Sequence, residues 1–409
     1  MHYDFNFYSS LLLITFSQGL IYSVLLTKKG IQTENKPNYW LAIFVFLCSM
    51  YLAPWMLGFA GWYDNQPYRN FMFYVPFQQL LFIGPAIFFY TQSLLNPSFR
   101  FTKRQFLHLI PGIIYLIYVF GIFVYDVFIV KKLYFYQNGI DKDFSQWYQY
   151  SGFVSMLLYF ILSIKYYKSY RKLIVQITSN ADAVLFSWIR NYLFAFLIML
   201  LLKIFTEIFF TIFPQYTNYV GGWWFYLLFS LILYYIAVTG YANAAQAKIG
   251  FQLSIFDKKQ VFILDENESI SSSKADTIDV EIETLKEINL PDLEAWQSKI
   301  HLLISDGNLY QNPELSLSEI SNILKTNTSI ISKTINQGFN MNFNDFINNY
   351  RVEAVTATFA KNEHKKSTLL GIAFDCGFNS KATFNRAFKK NTGLTPKEFL
   401  LENIPSTDE

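Results

Sequence analysis

Cysteine is nearly absent. The 409 residues hold two, Cys48 and Cys376, which fall in what read as different compartments. That excludes a disulfide framework, and two thiols cannot close a structural zinc site. The four histidines, His2, His108, His301 and His364, are scattered, so no metal cluster is expected. Charge is scarce as well: 15% of the chain is Asp, Glu, Lys or Arg, against about 25% in ordinary globular chains. No phosphate loop, kinase block, receiver-type acceptor site or acid–base constellation stands out. No catalytic residue, no cofactor and no enzymatic activity are therefore expected.

What is abundant is apolar and aromatic. Hydrophobic residues make up 52% and aromatics 20%, and they are unevenly placed. The first 245 residues are apolar, while the remainder is polar and normally charged. A membrane span needs about 20 mostly apolar residues, and seven stretches qualify: 9–27, 38–60, 71–95, 106–130, 147–167, 186–213 and 219–241. The first has no basic residue before it and Lys28 and Lys29 after it, which argues against a signal peptide. With the N-terminus outside, the inner loops carry ten Lys and Arg and the outer loops four. The basic excess of cytoplasmic loops favours that orientation. An odd span count then puts the polar half in the cytoplasm.

Polar residues inside spans are costly and informative. Lys203 and Glu207 lie four apart in the sixth span and can pair on one helix face. With Asp126, near the outer end of the fourth span, they are the expected ligand or switch residues of the membrane half. Gln18, Gln78, Gln79 and Arg190 are further polar positions, for which interhelical hydrogen bonding is the plainer role. Prolines 54, 76, 85, 111 and 214 are expected to kink or end spans.

From Asp257 to Glu294 there are eleven acidic and four basic residues, the composition of a solvated linker. Such a strip is able to compete with DNA for a basic face. The expected organisation is a membrane domain over 1–245, an acidic linker over 246–290 and a helical domain over 291–409. "FQLSIFDKKQVFIL", before the strip, fits a strand or coil equally.

After Pro291 the apolar spacing is helical. Leu293, Trp296, Ile300 and Leu303 mark one helix. Ser316 or Ser318 caps the next, with Ile320, Ile323 and Leu324 inward, and "KTNT" turns into a helix from about 328 to 337. Ile331 and Ile335 face in there, leaving Ser329, Ser332, Lys333 and Asn336 outward. A long helix spans about 344–360. A second pair follows: 368–375, a turn at Gly377, then a helix capped by Ser380 and stopped by Gly393, with Phe384 and Phe388 inward. Between Lys361 and Lys397 lie eight basic and two acidic residues, a local focus of positive charge that fits nucleic acid.

The stretch "LGIAFDCGFNSKATFNRAFKKNTGLTPKEF" resembles the C-terminal signature of the AraC/XylS family of bacterial transcription regulators, through "IA…GF", "F…R.FK" and "G.TP..F". The likeness covers about 315–401. "IGPAIFFYTQSLL" and "FLHLIPGIIYLIY" are more loosely similar to the seven-span blocks of some bacterial regulators. The resemblance implies an all-α chain: a seven-helix transmembrane bundle plus a cytoplasmic unit of seven helices. In that unit two helix-turn-helix motifs, joined by a rigid helix, enter successive major grooves of double-stranded DNA about 34 Å apart. By motif position, Lys381, Ala382 and Arg386, with Ser380 and Asn385 beside them, face bases from the second motif. Ser329, Ser332 and Lys333 do so from the first. Arg386 suits a guanine edge, and Lys389 and Lys390 suit phosphates.

The expected function is a membrane-anchored regulator of transcription in the inner membrane, answering an unknown small-molecule or membrane-borne signal, with homodimerisation open. The alternatives are a transporter or membrane enzyme with a DNA-binding tail, and a helical unit that binds protein.

Overall fold

The computed structural model describes residues 5–179, 184–243, 251–253, 261–263, 292–361 and 367–403. The chain divides into two compact units. One is Met1–Tyr167 with Leu185–Gln252; the other is Lys168–Val184 with Leu253–Glu409. The second unit thus takes in a segment from the middle of the apolar half, which the expected 1–245 boundary did not anticipate. The expected acidic linker lies outside the described residues, apart from two three-residue strands, β1 (Phe251–Leu253) and β2 (Val261–Ile263), which pair as a ribbon.

The first unit is helical: α1 (Phe7–Thr33), α2 (Lys36–Phe59), α3 (Tyr68–Tyr74), α4 (Leu80–Leu95), α5 (Lys103–Leu107), α6 (Ile110–Val124), α7 (Gln146–Ile177), α8 (Val184–Ile212) and α9 (Tyr219–Ala242). Helix α2 is the hub, packed on α1, α4 and α9. At the α1–α2 crossing a Cβ on Gly19 would stand 2.0 Å from Ser49 Oγ, so the absent side chain lets the helices approach closely.

Helices α1, α6 and α8 also turn large apolar side chains outward, among them Ile21, Val24, Ile117, Phe120, Phe194 and Phe205. A helix apolar on every side is buried in a large core or in lipid. Among the described residues, five helices are long and apolar enough to cross a membrane: Phe7–Thr33, Lys36–Phe59, Ile110–Val130, Trp188–Ile212 and Val220–Ala242.

Two of the seven expected spans differ. The stretch 71–95 is not one helix but α3 and α4 with extended chain between. Pro76 has no N–H to donate and forces Val75 into an extended conformation (φ −91, ψ 113). The fifth, inside α7, is a 32-residue helix but too polar to count among the five. Pro54 and Pro85 stay inside their helices, whereas Pro111 and Pro214 sit at helix starts.

The second unit contains α10 (Leu293–Ser305), α11 (Leu317–Ile323), α12 (Thr328–Lys333), α13 (Phe343–Ala360), α14 (Leu369–Asp375), α15 (Lys381–Thr392) and α16 (Pro396–Asn403). It has two cores, and α13 enters both. Its first half gives Phe343, Phe346 and Ile347 to a cluster with Ile300, Ile320 and Ile331. Its second half gives Val352, Val355 and Phe359 to a cluster with Ile372, Phe384 and Phe388. A rigid rod shared by two cores holds the α11–α12 and α14–α15 pairs in a fixed relation.

Ser316 caps α11, its hydroxyl accepting from Glu319 N. Ile323 is 47% exposed, contrary to the expected inward face. It ends the helix one residue off the stripe of Leu317, Ile320, Ser321 and Leu324. In α10 the buried pair is Ile300 and Ile304.

Candidate nucleic-acid interface

Helix α15 is sharply two-faced. Thr383, Phe384, Ala387 and Phe388 are buried, while Lys381, Ala382, Asn385, Arg386, Lys389 and Lys390 are exposed. Its start is fixed by Ser380, whose Oγ accepts from Thr383 N at 3.1 Å; that position makes Ser380 a cap, half-buried beside the exposed face. Its end is fixed by Gly393 at φ +81, a left-handed conformation natural to glycine. The turn before it needs Gly377. There φ is +91, and a Cβ would lie 2.3 Å from Tyr310 O.

The six exposed residues line one open groove, together with Lys397 and parts of α14 and α16. Sequence reasoning missed Lys397, although it follows the "G.TP" stop directly. Within this face Lys390 Nζ lies 2.6 Å from Asp345 Oδ2 of α13. Partial burial and the nearby positive charge of Arg171 hold the Arg386 guanidinium below its ordinary pKa.

Helix α12 offers less. Ser329, Ser332 and Lys333 are half-buried, and Ser332 Oγ accepts from Asn336 Nδ2 at 3.3 Å. None of the three lines the groove of α15.

Residues 320–402 match the protein family described as "Helix-turn-helix domain". The C-terminal part of this chain is a helix-turn-helix domain. Over 101 residues the chain is 33% identical to an uncharacterized HTH-type transcriptional regulator of Staphylococcus aureus strain COL. The same identity holds for the corresponding proteins of strains MSSA476 and N315. Each alignment covers 25% of this chain and 13% of the relative, so the chain matches only a small part of those proteins. No solved structure matches.

Inside that domain, Arg351 escaped the sequence reading. It lies on α13, only 1% exposed, and burial pushes its pKa down to about 10. Its Nε donates to Tyr310 O and its Nη2 to Asn312 O, both at 2.7 Å. A lone arginine on the apolar side of a long helix was its only trace in the sequence.

In the apolar half, Lys203 Nζ and Glu207 Oε1 are 2.7 Å apart, the pairing their spacing implied. Lys203 also lies over the Phe225 ring at 5.6 Å and lines an apolar hollow with Cys48, Tyr51 and Phe229. Asp126 has partners of its own: Tyr74 Oη donates to it at 3.2 Å and Phe135 N at 3.3 Å.

An acidic pair had no sequence signal. Asp141 and Asp143, between α6 and α7, are nearly fully buried. Tyr63 Oη donates to Asp141 Oδ2 at 2.7 Å. Tyr115 Oη donates to Asp143 Oδ1 at 2.6 Å and Gln78 N to Oδ2 at 2.8 Å. Burial raises both carboxyls, and for Asp141 the neighbouring Asp143 charge adds to the rise.

Proposed function

We propose that the chain is a membrane-anchored, sequence-specific regulator of transcription whose apolar half reports an external or membrane-borne signal to an AraC-type double helix-turn-helix domain. One observation carries this reading: a helix-turn-helix domain shares its chain with five helices long and apolar enough to span a bilayer. Helix α4, after the Pro76 break, and the upper part of α7 complete the seven spans. The loop-charge asymmetry supports an outer N-terminus and a cytoplasmic DNA-binding domain in the inner membrane. In this reading Lys381, Ala382, Asn385 and Arg386 of α15 meet base edges, while Lys389 and Lys390 hold phosphates. Helix α12, with Ser329, Ser332 and Lys333, mainly positions the domain along the duplex. The Lys203–Glu207 pair beside its apolar hollow is the favoured ligand or switch element, with Asp126 a fixed support. Any signal must bind two states of the bundle unequally to shift them, and dimerisation on a two-part DNA site is one way to register the shift. No catalytic role is assigned.

Genome-wide DNA capture from cells bearing the full chain tests this reading. Arg386→Ala is expected to abolish the sharp sites while leaving the protein in the membrane fraction. Equal capture of the same sites by both proteins would remove Arg386 from base reading. Recovery of the intact wild-type chain in the soluble fraction would remove the anchor.

A further inference from the structure

The helix-turn-helix domain is not built from the C-terminal stretch alone. Its unit includes Lys168–Val184, which takes in the end of α7. Tyr170, Leu173, Ile174 and Ile177 are buried there at i, i+3, i+4 and i+7, one helical stripe.

Beyond the stripe, the chain enters the domain as a short extended tip. Thr178 forms an antiparallel bridge with Ser316, the cap of α11. Ser179 N donates to Leu315 O at 3.0 Å. Asn344 Nδ2 donates to Ser179 O at 2.8 Å, Arg351 Nη1 donates to the same oxygen at 3.3 Å, and Arg351 Nη2 donates to Ser179 Oγ at 3.0 Å. Ser179 is fully buried.

These partners lie more than 130 residues away in sequence. Arg351 uses its other donors on Tyr310 O, Asn312 O and Asn348 Oδ1, so removing the tip would leave buried donors of a charged group unmet, which is costly. Ser179 therefore completes the domain.

We propose that the Thr178–Ser179 tip is a docking plug through which α7 is joined to the DNA-binding domain, and that this joint delivers movement of α7 to α13. Helix α13 is the right receiver, since both helix pairs hang on it. The plug stands whether or not the domain reads DNA; its regulatory consequence rests on the reading given under Proposed function.

The plug predicts a second attachment besides the covalent one along residues 264–291. A specific protease site placed within residues 265–279 of the full chain, in native membranes, tests it. After cleavage and a wash in 1 M salt, the wild-type C-terminal fragment is expected to stay with the membranes. Ser179→Pro removes the N–H to Leu315 and the hydroxyl to Arg351, and Asn344→Leu removes a donor from the other side. Each is expected to lower the retained fraction at least fivefold. Ser179 lies outside the cleaved fragment, so its substitution cannot alter that fragment's sequence. Before cleavage, the wild-type chain in native membranes should capture duplex DNA. Release of the wild-type fragment as complete as that of the variants would overturn the plug, as would retention of both variants at the wild-type level. A failure of DNA binding alone would count only against the reading of the domain's function.

Discussion

Lys390 gives the sharpest quantitative test of the DNA face, because its charge is already engaged. Its ammonium lies 2.6 Å from Asp345 Oδ2, with the two side chains 61% and 29% exposed. A solvent-screened pair of this kind holds up to about 1 kcal/mol, or about fivefold in an equilibrium constant. A phosphate must displace Asp345 to reach it. Asp345→Asn removes the competitor and leaves the backbone cap intact, since Asn342 Oδ1 accepts from the Asp345 main-chain N. The cost is one acidic group in the first turn of α13, about 0.3–1 kcal/mol.

Binding of the full chain in lipid nanodiscs to fluorescent duplex is expected to tighten about two- to fivefold at low salt. One freed phosphate contact steepens the log–log salt slope by about 0.9, so a rise from 50 to 200 mM salt costs the variant about 3.5-fold more than wild type. Sequence preference should not change, because phosphates carry no base information. Adding Lys390→Ala should cancel the gain. A gain that survives without Lys390 would show simple repulsion by Asp345 instead, and an unchanged slope in Asp345→Asn would refute the assignment of Lys390 to a phosphate.

Three further outcomes follow from the geometry. Ser380→Ala removes the acceptor for Thr383 N and should cost about 1 kcal/mol, read as roughly fivefold faster amide exchange in the first turn of α15; unaltered exchange there would contradict the cap. Phe388 is fully buried, with the Phe384 and Phe399 rings 5.6 and 5.4 Å away, and Phe388→Ala should cost about 3–5 kcal/mol. Exchange protection should be lost in α14–α16 but kept in α10–α12, which belong to the other core; uniform loss would show that the two cores are one. Asp141 and Asp143 bind protons more tightly folded than unfolded, so stability should fall as pH rises from the ordinary carboxylate range toward neutrality. Tyr63, Tyr115, Tyr136, Tyr148 and Lys142 face or flank the pair; thermal unfolding in detergent that is flat or rises over pH 4.5–7.5 would show the pair to be ionised at no cost.

The helix-turn-helix half was legible because its signals are local. A cap at Ser380, a stop at Gly393, a positive-φ glycine at 377 and alternating phenylalanines each act within a few residues, and the helices begin and end where those residues stand. Composition exposed the apolar half for a similar reason, since every residue of a long apolar helix adds to the signal. Local signals also misled where tertiary structure decides. Pro76 breaks a run that hydropathy reads as one span, and Ile323 loses its place to Ser321 because the helix ends there. The Asp141–Asp143 cluster and the Arg351–Ser179 contact join residues far apart in sequence, and no local pattern announces such a pairing.

That distinction bears on the proposed joint between α7 and the helix-turn-helix domain. A flexible tether in general transmits little force, because its ends move independently over distances that grow with the square root of its length. A buried joint behaves differently, because packed interfaces switch between discrete arrangements rather than stretch. Arg351 binds Ser179, just after α7, to the rod that carries both helix pairs, so a rotation of α7 must either turn the rod or break the hydrogen bonds around one buried serine. Under the proposed function, either outcome would change how the two pairs meet a duplex.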